Sequence, residues 1–186
     1  VIQRLRPAHS PEDLAEIYAR PHDSARWHDH NVRVDVTIAL GRGVEQVDCL
    51  ADLSCGNAKI ARAIGSHLPE RHIHLGDLAP GYELCGPIEE TLEQIPDVDL
   101  FVCSETIEHL DEPAGVLLDI RRKASHLVLS TPVGAWGESN REHYWAWDRQ
   151  GVEDMLESAG WSLLAYNELD MRPGWSPYCF GIWALR

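Results

Sequence analysis

The sequence predicts an α/β fold: a mostly parallel sheet of seven strands between two helical layers, closed by a C-terminal antiparallel hairpin. Three observations predict it. Short apolar runs alternate with amphipathic helical stretches from residue 47 to residue 160. One run, 98–103, is almost wholly apolar, as a strand buried on both faces is. The last two runs, 161–169 and 178–185, are joined by a loop too short for a crossover helix, so they are antiparallel.

Each element has a local cause. Ser10-Pro11-Glu12-Asp13 opens a helix over 11–20, with serine as N-cap and proline in the first turn. Residues 29–41 form a second helix carrying Val32, Val36 and Ile38, ending at Gly41. The stretch between them, 21–29, reads as irregular. Strands follow at 47–52, 71–76, 82–85, 98–103 and 126–130, with helices at 57–67, 112–124 and 149–159. The 112–124 helix puts Val116, Leu117 and Ile120 on one face. The 149–159 helix carries Val152, Met155, Leu156 and Ala159 and stops at Gly160. No linker divides the chain, so one domain is expected over 1–186, with 1–44 as a helical N-terminal segment and candidate lid.

Composition narrows the function. Thirty acidic residues against 16 basic ones give a formal charge of −14. That balance argues against nucleic acid, whose binders neutralise phosphates with basic patches. No apolar run of about 18 residues predicts a membrane span, and the first residues lack the apolar region of a secretion signal. Cys49, Cys55, Cys85, Cys103 and Cys179 are odd in number and lack metal-site spacing. They read as free thiols in a reducing, cytoplasmic setting.

Residues 47–58, VDCLADLSCGNA, are the most informative stretch. An apolar strand ends at Asp52, and a small-residue turn with a single glycine, Gly56, leads into a helix. A carboxylate at the strand tip repels a pyrophosphate and suits a cationic, amine-bearing ligand. The pattern Asp52-x-Ser54-x-Gly56-x-Ala58 resembles motif I (D-x-G-x-G-x-G) of the class I S-adenosylmethionine (SAM)-dependent methyltransferases. Ser54 and Ala58 replace two glycines and lack their freedom at positive φ. Asp77 follows the second strand near the ~20-residue separation at which an acid meets a ribose hydroxyl pair.

Two further stretches carry the resemblance. VDLFVCSETIEHLDEP at 98–113 is similar to the segment after strand four of ubiquinone-type and related small-molecule methyltransferases. LVLSTP at 127–132 and HYWAWDRQGVEDMLESAGW at 143–161 are similar to their next strand, loop and helix. The likeness covers about residues 45–186. It implies a Rossmann-like three-layer sandwich with strand order 3-2-1-4-5-7-6, SAM as cofactor and a small-molecule acceptor. It places Asp52, Ser54 and Gly56 at the methionine part, Asp77 and Leu78 at the ribose, Ile88 against adenine, and Ser104 and Glu105 beside them. His109 and His143 are the catalytic candidates, as bases for an acceptor that must lose a proton. Trp27, His28, Tyr144 and Trp145 are expected to contact the acceptor.

Two alternatives stay open. Glu105, Glu108, His109 and His143 also match, type by type, the metal ligands of the Hen-type small-RNA 2′-O-methyltransferases. The metal-free reading is the one expected, given the acidic charge and the short chain. The altered motif I also fits a methyltransferase-fold module that holds SAM, or nothing, without turnover.

Overall fold

The structure is a computed structural model that describes residues 1–19, 27–174 and 176–186. In chain order the first elements are β1 (Ile2–Arg4), α1 (Pro11–Ile17), α2 (His28–Arg42), β2 (Leu50–Asp52) and α3 (Lys59–Ile64). Next come β3 (Ile73–Asp77), β4 (Leu84–Cys85), α4 (Ile88–Thr91), β5 (Val98–Ser104) and α5 (Pro113–Lys123). The chain ends with β6 (Ala124–Val133), β7 (Trp145–Trp147), α6 (Arg149–Ser158), β8 (Leu163–Asp170) and β9 (Cys179–Leu185).

Seven strands form one sheet in the order β4-β3-β2-β5-β6-β9-β8. Counted within the sheet this is 3-2-1-4-5-7-6. Strands β4 to β6 are parallel, and β9 is antiparallel to both β6 and β8. The strand order therefore reverses between β2 and β5, and their carboxyl ends open a crevice there.

Apolar side chains fill both faces of the sheet. On one face Val34 and Ile38 of α2 and Ile64 of α3 pack on Leu100, Val102 and Val128. On the other Leu117 and Ile120 of α5 and Val152 and Leu156 of α6 pack on Phe101, Leu127 and Trp183. The central strand β5 is correspondingly sealed, with Leu100 to Cys103 fully buried.

Helix ends follow the sequence signals. Ser10 and Asp13 make a reciprocal capping box on α1, and Asp148 accepts from the Gly151 N–H at the start of α6. Arg121, Arg122 and Lys123 occupy the last turn of α5, where the helix dipole favours cations. No described helix is long and apolar enough to cross a membrane, and all five cysteines are free.

Three features differ from the sequence expectation. Strand β6 runs on to Val133 because β9 pairs with it from Leu127↔Leu185 to Val133↔Cys179. The first helix ends at Ile17, and most of the stretch expected to be irregular lies outside the described residues. A separate two-stranded ribbon joins β1 to β7, in register Ile2↔Trp147 and Arg4↔Trp145. Three-residue strands carry too little alternation to announce themselves.

Gly181 on β9 lies beneath the buried Trp183 ring. A Cβ built there falls 2.1 Å from that ring, and Trp183 is fully buried. Gly181→Ala is expected to lower stability by about 2 kcal/mol through overpacking. Urea unfolding reads this, and an unshifted midpoint would contradict the packing described.

Candidate functional site

A cavity of about 680 Å³ opens at the crevice. One wall comes from the ends of β2 and β3 and the turn that follows β2. The far wall comes from the end of β5, the loop before β7 and the segment before β9. Residues of α1 and α2 close it from above.

The turn after β2 is set by two left-handed residues, Gly56 at φ 53° and Ala58 at φ 59°. Gly56 suits that conformation, while Ala58 holds it at a steric cost. A Cβ on Gly56 would meet nothing within 4 Å, so the backbone there is open to the cavity. The Gly56 N–H donates to Asp77 Oδ2 at 2.7 Å, and the Ala79 N–H donates to Asp77 Oδ1 at 2.8 Å. Asp77 thus ties the two strand ends together. Asp52 is 2 % exposed and accepts from the Ser54 N–H at 3.3 Å. Burial, reinforced by the charge of Asp77, pushes its carboxyl up to about 7. The Ser54 hydroxyl meets that of Thr106 at 2.6 Å, linking this turn to the β5 loop.

A buried guanidinium lines the cavity. Arg33 of α2 is 2 % exposed. It donates to the hydroxyls of Ser104 and Ser130 and to His30 Nδ1. Its Nε lies 3.7 Å from Glu105 Oε1, which also accepts from the Ser130 hydroxyl. Glu105 itself has φ 53°, an unusual conformation for a non-glycine residue. Burial, then the charge of Arg33, depresses His30 to about 4. Its ring is therefore neutral at physiological pH, with Nδ1 as acceptor.

The far wall gathers titratable groups. Ile107–His109 forms a single 3₁₀ turn after β5. Glu108, 1 % exposed, accepts from the Thr131 hydroxyl at 3.0 Å through Oε2. Burial, then the charge of Glu105, raises the Glu108 carboxyl above its ordinary range. The His109 and His143 rings meet edge to face at 4.8 Å. His143 Nδ1 is 3.2 Å from Glu138 Oε2. Burial opposes the charge on His143, but Glu138 and Glu108 outweigh it and raise the imidazole. Glu138 is itself held by the Asn140 N–H at 2.8 Å and the Tyr178 hydroxyl.

Of the residues singled out from the sequence, Asp52, Ser54, Gly56, Asp77, Ser104, Glu105, His109, His143 and Trp27 line this cavity. Leu78, Ile88, His28, Tyr144 and Trp145 do not. Ile88 is buried with Leu92 and Ile95 in the core. Tyr144 is buried, and its hydroxyl accepts from the His9 N–H. The Trp145 indole donates to the Leu110 carbonyl, and the Arg4 guanidinium stacks on it. The four-residue ligand set of the Hen-type resemblance is not gathered whole. Glu108, His109 and His143 converge, whereas Glu105 stands outside that group, beside Arg33.

Sequence reasoning missed Arg33 and Tyr178, and it placed Glu138 and Glu142 only within a span, 134–145, expected to face the acceptor. Only Arg33 carried a signal, a charge one residue before the buried Val34 on a helix packed against the sheet.

This sheet order and crevice are those of the class I SAM-dependent methyltransferases, and the chain has their fold. Solved structures agree at low identity. The 1,6-didemethyltoxoflavin-N1-methyltransferase of Burkholderia thailandensis, bound to 1,6-didemethyltoxoflavin and S-adenosylhomocysteine, matches with TM-score 0.73 and 12 % identity over 100 % of this chain and 94 % of that one. The N-methyltransferase NodS of Bradyrhizobium japonicum WM9, bound to S-adenosylhomocysteine, matches with TM-score 0.70 and 14 % identity, covering 94 % and 96 %. The [4+2]-cyclase SpnF matches with TM-score 0.63 and 11 % identity, covering 94 % and 89 %. No family model and no curated protein matches the sequence.

Proposed function

We propose that this chain transfers a methyl group from SAM to a small-molecule acceptor that loses a proton in the reaction. The observation that carries this reading is one continuous cavity, running from Asp52, Gly56 and Asp77 at the switch point to His109 and His143. The residues present suit the cofactor. Asp77 keeps lone pairs for two adjacent ribose hydroxyls beyond the two N–H groups it accepts from. The open face of Gly56 admits close backbone approach. Asp52 and Ser54 lie where a methionine ammonium and sulfonium would be met by negative charge.

Bound SAM supplies a methyl group already activated on a sulfonium. The chain's own part is to hold the acceptor in line, exclude water and ease the loss of its proton. His109 and His143 are the groups placed to ease that loss. Tyr18 and Trp27 line the same cavity, which supports the N-terminal segment as its cover. Asp29, Glu105 and Glu142 line the acceptor side and disfavour a polyanion such as RNA.

The same fold also serves a cyclase, so cofactor binding is the first measurement. Calorimetric titration with S-adenosylhomocysteine is expected to show one site per chain. Asp77→Ala is expected to weaken it roughly tenfold to hundredfold, by ~1.5–3 kcal/mol. The same variant loses about 1 kcal/mol of stability, because two N–H groups lose their acceptor. No binding by the unaltered protein would sink the cofactor reading. Unchanged affinity in the variant would remove Asp77 from the site.

A further inference from the structure

We propose that Arg33 binds the methionine carboxylate of SAM and that Glu105 competes with that carboxylate for the guanidinium. The proposal rests on the methyltransferase reading for the identity of the ligand, and on the geometry around Arg33 for the seat itself. SAM carries an ammonium and a carboxylate on one carbon, so its site needs opposite charges side by side. Asp52 answers the ammonium. Histidines apart, Arg33 and Lys59 are the only cationic side chains among the described residues that line the cavity. Lys59 is half exposed, with Nζ 3.8 Å from the exposed Asp35. Arg33 is buried, at 2 % exposure.

The guanidinium has donors to spare. Nη1 gives its N–H bonds to the Ser104 and Ser130 hydroxyls, and Nη2 gives one to His30 Nδ1. Nε, although buried, has no hydrogen-bond partner among the described residues. A buried donor left in this way is costly, and a carboxylate satisfies it. The remaining Nη2 N–H supplies the second contact of a bidentate pair. The guanidinium also stands next to the methionine end. The Ser104 carbonyl accepts from the Thr106 hydroxyl at 3.2 Å, and that hydroxyl meets the Ser54 hydroxyl in the turn after Asp52.

Among the described residues Glu105 is the only acid paired with Arg33, and the pairing is loose. Its Oε1 lies 3.7 Å from Nε, beyond hydrogen-bond distance, and accepts instead from the Ser130 hydroxyl at 3.1 Å. The Glu105 backbone sits at φ 53°, a conformation whose cost the surroundings must offset. Its side chain is partly exposed to the cavity, so it has room to withdraw. A negative charge held near a buried guanidinium without a hydrogen bond balances it, yet yields to a better-placed carboxylate. The ligand therefore gains Arg33 at the expense of the Glu105 contact, which holds cofactor affinity below its maximum.

The test uses the whole chain and two ligands. One is S-adenosylhomocysteine. The other is its decarboxylated analogue, S-adenosyl-3-thiopropylamine, which keeps the adenosine, the sulfur and the ammonium. Calorimetry on the unaltered protein is expected to favour S-adenosylhomocysteine by about thirtyfold. Arg33→Lys, shown folded by its thermal melt, is expected to cut that preference to about fivefold or less, because an ammonium cannot make the bidentate contact. Glu105→Gln keeps the guanidinium and removes its competitor. It is expected to tighten S-adenosylhomocysteine about fivefold and to leave the analogue unchanged. Equal affinity of the unaltered protein for the two ligands overturns the seat, and so does a preference that survives intact in folded Arg33→Lys. Unchanged S-adenosylhomocysteine affinity in Glu105→Gln overturns the competition. If Arg33→Lys does not fold, the ligand pair and Glu105→Gln still decide. If both ligands bind alike, this proposal falls and the methyltransferase reading stands. If neither binds, both fall.

Discussion

Asp52→Asn is expected to stabilise the protein at neutral pH while weakening its hold on SAM. The fold keeps this carboxyl at 2 % exposure, and burial raises it to about 7. In the unfolded chain it ionises near its ordinary value. The sign follows from proton counting. Below about pH 4 both states hold the proton and there is no penalty. As pH rises towards 7 the unfolded chain releases its proton and the folded one keeps it, so stability falls. Above 7 the full penalty stands, roughly 2–4 kcal/mol, and asparagine removes it. Chemical denaturation of both proteins at about pH 4 and about pH 8 should show the variant's advantage only at the higher value.

Binding should move the other way. A cationic cofactor favours the ionised carboxylate, so SAM affinity of the unaltered protein should rise through about pH 7 and the variant's should not. The variant should also lose about tenfold of the preference for SAM over uncharged-sulfur S-adenosylhomocysteine. Equal pH profiles for the two proteins would remove Asp52 from the cofactor's electrostatics.

Arg33→Ala is expected to cost about 3 kcal/mol, among the largest single losses available outside the apolar core. The guanidinium joins Ser104, Ser130 and His30 and lies beside Glu105 in one buried network. Truncation leaves two buried hydroxyls and a carboxylate short of a donor. Arg33→Lys should recover less than half of the loss, because an ammonium cannot span those partners at once. Urea midpoints measure both. A full rescue by lysine would show that charge alone, and not the fork, holds the network.

How much of this was legible beforehand depends on the range of each cause. Elements built by local patterning were readable. The apolar run ending at Asp52, the run 98–103 and the short loop before β9 marked the central strands and the closing hairpin, and the family resemblance supplied the sheet order. Boundaries set by distant partners were not. β6 outran its expected end because β9 pairs along it. The site divides the same way. Asp52, Gly56 and Asp77 sit at strand tips, where topology alone brings them to the crevice. Ile88 was harder to place, because an apolar residue after a strand can face a ligand or the core, and the fold packs it with Leu92 and Ile95. The pairing of Glu138 and Tyr178 with His143 was not readable, because it depends on contacts across 5 and 35 residues of chain. Arg33 shows the converse, a charge on a buried helix face whose compensation lies wholly in tertiary partners.

The ribbon between β1 and β7 bears on how the chain assembles over time. Ile2 waits for Trp147 before it can pair. The loop carrying Glu138 and His143 is braced by the same late event, since Arg6 donates to the Glu138 and Asn140 carbonyls. Closing a loop of that length costs entropy before any contact is gained, and such contacts form slowly. The sheet and its two apolar faces can therefore consolidate first, with the far wall of the cavity maturing last. A refolding protein should regain its buried tryptophan signal before it regains affinity for ligand.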